Sequence, residues 1–258
     1  MNFPTQIGTD REGYIINYAS KDNISLNYLS ILEELIQLLK QDLNDKLHSI
    51  YVYGSVGRGE AIWGKSDIDL SIVLKLQLTR EELEKLNNHK NKVLEENKMV
   101  PKIDFDIGTL NDVFKEENLH YWGFWIKHIC TCIYGEDLSI NFPKMKPNRS
   151  ICRLLNQDVI SSLINYKDNI IKNEVDSNML ISALKRIIRG AYCLVAVIDK
   201  SWITKIEDII IVLNYYFPSE TSFNDIDLML KGKEEATSKQ VLKLIDYFIP
   251  WFNRHRIQ

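Results

Sequence analysis

Asp67 and Asp69 are separated by a single isoleucine, and a Gly54-Ser55 pair stands upstream with eleven residues between Ser55 and Asp67. If this segment is extended, side chains alternate faces, so the two carboxylates project to the same side with about 7 Å between their Cα atoms. They can grip one ion together. Hard carboxylates with no histidine or thiolate nearby suit Mg2+, which takes few protein oxygens and shares its other positions with water and substrate phosphates. Gly54 and Ser55, placed after a short strand and before a helix expected from about Val56, offer backbone N–H groups and a hydroxyl to a phosphate. Arg58 adds positive charge beside that turn. A metal pair next to a phosphate cradle is the equipment of phosphoryl or nucleotidyl transfer, where catalysis is mostly positioning and charge neutralisation.

A third carboxylate would complete the arrangement. The run KIDFDIG supplies Asp104 and Asp106, again on one face of a strand, as a general base for an attacking hydroxyl or as a further metal ligand. Spacing leaves both residues and both roles open. A second Asp-Ile-Asp, Asp225 with Asp227 in FNDIDLML, has no Gly-Ser turn upstream and is expected to be solvated.

The elements that must hold these residues can be read from periodicity. Residues 24 to 47 carry Leu32, Leu35, Ile36, Leu39 and Leu43 at helical spacing, with Ser25 as N-cap. Residues 49 to 53 and 68 to 74 read as strands that bracket the glycine-serine turn. Thr79 and Glu82 have capping-box spacing and open a polar helix to about Lys98, closed by Pro101 ahead of a third strand over 102 to 108. Helices joining strands of one sheet indicate a small α/β domain. Farther on, one short apolar piece near Ile129 to Tyr134 reads as a strand. Residues 151–172, 178–198, 205–217 and 237–253 are helical. The expected fold is therefore α/β, a small mixed-sheet domain over residues 1–146 followed by an all-helical bundle domain over 147–258. Pro143, Pro147 and Asn148 punctuate the linker.

At 258 residues, with 45% hydrophobic and 26% charged side chains and a net charge of -3, the chain has the material for a real core and is neither disordered nor polycationic. The acidic excess lies in the part up to Lys146. Cys130, Cys132, Cys152 and Cys193 show no zinc-type pairing and read as buried free thiols. No signal-peptide pattern or apolar run of membrane length is seen, so a cytoplasmic protein without membrane contact is expected. His48, His89, His120, His128 and His255 show no paired ligand spacing.

The stretch GSVGRGEAIWGKSDIDL resembles the signature of the nucleotidyltransferase superfamily that contains DNA polymerase beta: Gly-Ser, a spacer, then two acidic residues each followed by an apolar one. Gly54, Ser55, Asp67, Ile68, Asp69 and Leu70 carry the match, and Arg58, Gly59 and Ser66 fit the bacterial members. The resemblance implies that Gly54, Ser55, Arg58 and Ser66 serve the nucleotide. It makes Asp67 and Asp69 metal ligands and Asp104 the third acidic residue, with Asp106 in reserve. A catalytic domain followed by a helical domain is similar to the bacterial aminoglycoside adenylyltransferases, in which substrate sits between the domains. Lys205 falls where such enzymes carry a helical-domain lysine toward the nucleotide phosphates.

The function so implied is transfer of a nucleoside monophosphate, AMP from ATP, with Mg2+ as cofactor, onto a hydroxyl of a small molecule such as an aminoglycoside-type antibiotic. A tRNA end or a partner protein of toxin-antitoxin type stands as an alternative acceptor, and a non-catalytic binding protein on the same scaffold is the non-enzymatic alternative. Arg186 and Arg189 could face a substrate cleft or cover the bundle surface. Trp63, Trp122 and Trp125 could stack on a base or acceptor ring. For Trp122 and Trp125, core packing is the expected role.

Overall fold

The described residues, 2–255 of a computed structural model, begin with a segment to Ile16 that belongs to one compact unit with the residues from Met145 onward. From Asn17 the chain builds helix α1 (Leu26–Leu43), strand β1 (Leu47–Tyr53), the one-turn helix α2 (Gly54–Arg58), strand β2 (Ile68–Leu74), helix α3 (Arg80–Glu96) and strand β3 (Ile103–Thr109). Two short helices, α4 (Leu110–Phe114) and α5 (Phe124–His128), precede strand β4 (Thr131–Gly135). Ser25 takes the N-cap position of α1 without a side-chain capping bond, whereas Thr79 and Glu82 form the full reciprocal box at the start of α3.

The strands form one sheet in the order β3-β2-β1-β4. β1 runs antiparallel to β2 and to β4, and β2 runs parallel to β3 through the crossover helix α3. It is a mixed sheet of α/β type. Alternation divides its two faces. Ile50, Val52, Ile68, Leu70, Ile72 and Ile103 point into a core covered by α1 and α3, while Tyr51 and Val73 point into a second cluster with Val113, Ile126 and Phe142.

After Lys144 the chain is helical: α6 (Arg149–Leu155), α7 (Val159–Ile171), α8 (Ser177–Asp199), α9 (Ile206–Tyr216), α10 (Ser222–Leu230) and α11 (Ser238–His255). The long helix α8 is the hub of this bundle, with Leu180, Leu184, Ile187, Ile188, Ala191 and Val195 buried at helical spacing. The helix expected over 151–172 is two helices. Asn156 breaks it: its side chain donates to the Cys152 carbonyl, and its own N–H turns back to Arg153 and Leu154, which ends α6. Helix α10 lies where no element is expected from periodicity.

The described residues fall into two compact units, Asn17–Lys144 and a helical unit that also takes the residues up to Ile16. A division at 146/147 into two consecutive stretches differs from this at the N-terminus, and the outermost residues of those stretches, 1 and 256–258, lie outside the described residues. Specific bonds explain the difference. The Thr5 amide donates to the buried carboxylate of Asp199 at 2.8 Å, and the Thr5 hydroxyl also donates to that carboxylate. The Trp202 amide donates to the Ile7 carbonyl at 2.7 Å, the Ile15 amide donates to Met145 at 2.9 Å, and Phe3 stacks on Tyr215. Without the Thr5 donors, Asp199 would be a buried charge with too few partners.

Candidate active site

The residues singled out by chemistry collect on one face of the sheet. Asp67 immediately precedes β2 and Asp69 is its second residue, sharing a face with Ser71 and Val73. In the parallel ladder Asp69 is paired with Asp104, and Ser71 with Asp106. In the antiparallel ladder Asp69 lies opposite Tyr53, the last residue of β1. Three strands thus bring Asp69 and Asp104 side by side next to the turn that begins at Gly54.

The electrostatics show how tightly the carboxylates are gathered. Burial, followed by the negative charges of Asp104, Asp67 and Asp106, pushes the Asp69 carboxyl up to about 7. Lys102, two residues before Asp104 and so on the same face, donates to the Asp104 carboxylate at 2.7 Å. That bond, with the pull of Asp104, Asp67 and Asp69, raises the lysine above its usual value. Asp106 accepts a 2.6 Å hydrogen bond from the Tyr53 hydroxyl. Burial and the charges of Asp106 and Asp69 push that phenol well above the usual range.

Gly54 explains itself at atomic level. Its φ of +71° is left-handed, and a Cβ there would overlap the Asp69 carboxylate, so only glycine lets the turn approach the acid. α2 starts at this residue, and Tyr53 provides no side-chain cap for its first turn. Helix N–H groups at such a start are available to an anion. The Arg58 guanidinium donates to Glu60 at 2.9 Å. Ser66 closes the loop between α2 and β2: its hydroxyl oxygen accepts the Ile62 N–H at 2.9 Å, and its carbonyl accepts from the Tyr28 hydroxyl at 3.2 Å.

The acidic side chains here, Asp67, Asp69, Asp104 and Asp106, are oxygen donors of the chemical kind that a hard divalent cation takes. Among the described residues no three acidic, histidine or cysteine side chains stand grouped as a ready ion site. Asp104 is engaged by Lys102 instead.

Other candidates are distributed differently. Lys205 is an exposed residue of the helical unit at the N-cap of α9. Arg186 is held by Asp158 at the α6–α7 break, and Arg189 is exposed on α8. Trp63 packs edge-on against Tyr28. Trp125 donates its indole N–H to Ser71 and packs edge-on against Tyr53, while Trp122 lies against Gly108. Asp225 and Asp227 are on helix α10. Tyr53 and Lys102 are the residues that sequence reasoning passed over. The signal was present in the even spacing from Lys102 to Asp104 in an extended run. All four cysteines are free, with Cys130, Cys152 and Cys193 buried and Cys132 half-buried. No helix among the described residues is long and apolar enough to cross a membrane.

A glycine-serine turn leading into paired carboxylates on a mixed sheet defines a class. Residues 33–120 match the family described as "Polymerase beta, Nucleotidyltransferase", which marks this part of the chain as similar to a nucleotidyltransferase domain. The crystal structure of spectinomycin adenyltransferase AAD(9) from Enterococcus faecialis, with ATP and spectinomycin, is similar to this chain. It aligns with a TM-score of 0.54 over 89% of this chain and 99% of that chain, at 17% identity, a likeness of fold. No curated protein matches the chain in sequence.

Proposed function

We propose that this nucleotidyltransferase moves AMP from ATP onto a hydroxyl of a small molecule of the aminoglycoside or aminocyclitol type, with Mg2+ as cofactor, in the cytoplasm. The observation that carries the reading is the approach of Gly54 to Asp69, with Asp104 paired beside it in the ladder. In this reading Asp67 and Asp69 hold the ion. Asp104 turns from Lys102 either to complete that site or to accept the proton of the attacking hydroxyl, and Asp106 stays tied to Tyr53. When bound, Mg2+ neutralises charge on the triphosphate. Gly54 and Ser55 present N–H groups and a hydroxyl to the phosphates, and Arg58 adds charge once released from Glu60. Ser66 keeps the intervening loop closed. Lys205 serves the nucleotide phosphates from the helical domain, residues 147–258 in the sequence reading, while residues 1–146 hold the catalytic groups.

The small-molecule acceptor is favoured by the fold likeness to an enzyme crystallised with spectinomycin. Incubation with labelled ATP and a panel of aminoglycosides, spectinomycin, lincosamides, tRNA and cell lysate tests it. Label should pass to a small molecule with release of pyrophosphate, and only when Mg2+ is present. Label in tRNA or in a protein would replace the acceptor. The absence both of transfer and of metal-dependent ATP binding would overturn the reading.

A further inference from the structure

A cation of the chain itself stands among the acids of the sheet. Lys102, the residue before β3, is fixed at its backbone, where its carbonyl accepts the Ile68 N–H at 3.0 Å. Its ammonium reaches the Asp104 carboxylate at 2.7 Å, and Asp104 is the ladder partner of Asp69. Asp106, on the same face of β3, is occupied differently, by the Tyr53 hydroxyl at 2.6 Å. The Lys102 side chain is 61% exposed, so its four-carbon stem can pivot about the fixed backbone and carry its compact charge to a new partner.

We propose that Lys102 is an exchangeable counter-cation, which holds Asp104 while the acids are without a metal and moves onto the nucleotide's triphosphate when a divalent ion is present. The inference rests on the reading of the site given above and adds to it the part played by the lysine. An ammonium and a divalent ion a few ångström apart repel one another, so Lys102 opposes an ion that comes alone. A triphosphate beside the ion offers the displaced ammonium a charge-assisted hydrogen bond, so Lys102 favours an ion that comes with its nucleotide. One side chain thus weakens the binding of free metal and strengthens the binding of the metal–nucleotide pair.

The test measures both affinities on the full chain: Mn2+ alone, by electron paramagnetic resonance, and the unreactive analogue α,β-methylene ATP in saturating Mn2+, by calorimetry. Lys102→Met should bind Mn2+ alone about tenfold more tightly and the analogue about tenfold more weakly. Lys102→Arg, which keeps the charge, should stay near the parent in both. Lys92→Met, on the helix that covers the other face of the sheet, should move neither and so controls for net charge. A residue that only supports the fold would shift both affinities the same way.

Unchanged or weaker binding of Mn2+ alone by Lys102→Met, or unchanged or tighter binding of the analogue, would overturn the inference and leave the reading of the site in place. A wild-type chain that binds neither Mn2+ nor the analogue would overturn that reading and the inference with it. The wild-type chain also supplies a measurement that needs no variant. Acetylation of Lys102 by sulfosuccinimidyl acetate, mapped by mass spectrometry, should rise when Mn2+ is added alone and fall when the analogue follows, and a Lys102 that responds to neither addition would overturn the exchange.

Discussion

Two segments of this chain spell the same four residues, Asp-Ile-Asp-Leu, at 67–70 and at 225–228, and they do opposite things. In the first, Ile68 and Leu70 are buried in strand β2 and alternation sends Asp67 and Asp69 to the same face. In the second, Phe223, Ile226 and Met229 are buried at helical spacing in α10, so the two aspartates point in widely different directions around the helix. Asp227 there pairs with Lys231, one turn on, and Asp225 is exposed. On the strand, pairing with β3 sets Asp104 beside Asp69; on the helix, Asp225 and Asp227 diverge.

The sharpest way to break the comparison is to neutralise each pair. Asp69→Asn should reduce transfer by roughly 10³-fold, the effect of losing one charge-stabilising group in a transition state. Its thermal midpoint should be equal to or above that of the parent, since a crowded negative charge is removed. Pyrophosphate release and a melting curve report both. A variant that unfolds would make Asp69 a structural residue.

Next in size is Gly54→Ala. The new methyl meets the Asp69 carboxylate at a left-handed φ, and should cost about 1–3 kcal/mol of stability and lower transfer together. Gly232 also has a positive φ but has open space around it, so Gly232→Ala should cost less and leave transfer unchanged. Chemical denaturation separates the two.

A pH series sharpens the contrast further. With the Asp69 carboxyl raised to about 7, the folded chain keeps a proton that the unfolded chain sheds near 4. Stability contributed by this group is therefore present at the acid end and declines as pH climbs through that window. A divalent ion must displace the same proton, so Mn2+ affinity should strengthen as pH rises toward and past 7. Asp69→Asn should flatten both dependences, whereas Asp227→Asn should alter neither. Parallel slopes in wild type and Asp69→Asn would remove Asp69 as the titrating group.

The smallest effect belongs to the helical pair. Asp227→Asn weakens a partly exposed contact to Lys231 and should cost about 0.3–0.5 kcal/mol with transfer unchanged.

Local elements were legible where one rule dominated. IDLSIVL has no competing period and is strand β2 over the residues expected, and the Thr79–Glu82 box opens α3 at the expected place. Legibility failed where long-range contacts or a competing side-chain bond decided. Asn156 diverts its neighbours from a continuous helix, and α10 carries its apolar residues in a short polar-flanked segment. At the site, the acids and the glycine-serine turn could be read from spacing. The Tyr53–Asp106 bond and the Lys102–Asp104 pair depend on strand register.

Sequence alone determined that Asp67 and Asp69 alternate onto one side of an extended run, that a glycine-serine turn precedes them, and that helices dominate beyond residue 146, because these follow from backbone periods within a few residues. Only the tertiary structure decided that Asp104 pairs with Asp69, that Lys102 offsets their charge, and that the first residues fasten to Asp199 in the helical unit. Pairing across strands and burial of a distant carboxylate are set by the packing of elements far apart in the chain, where no local spacing records the partner.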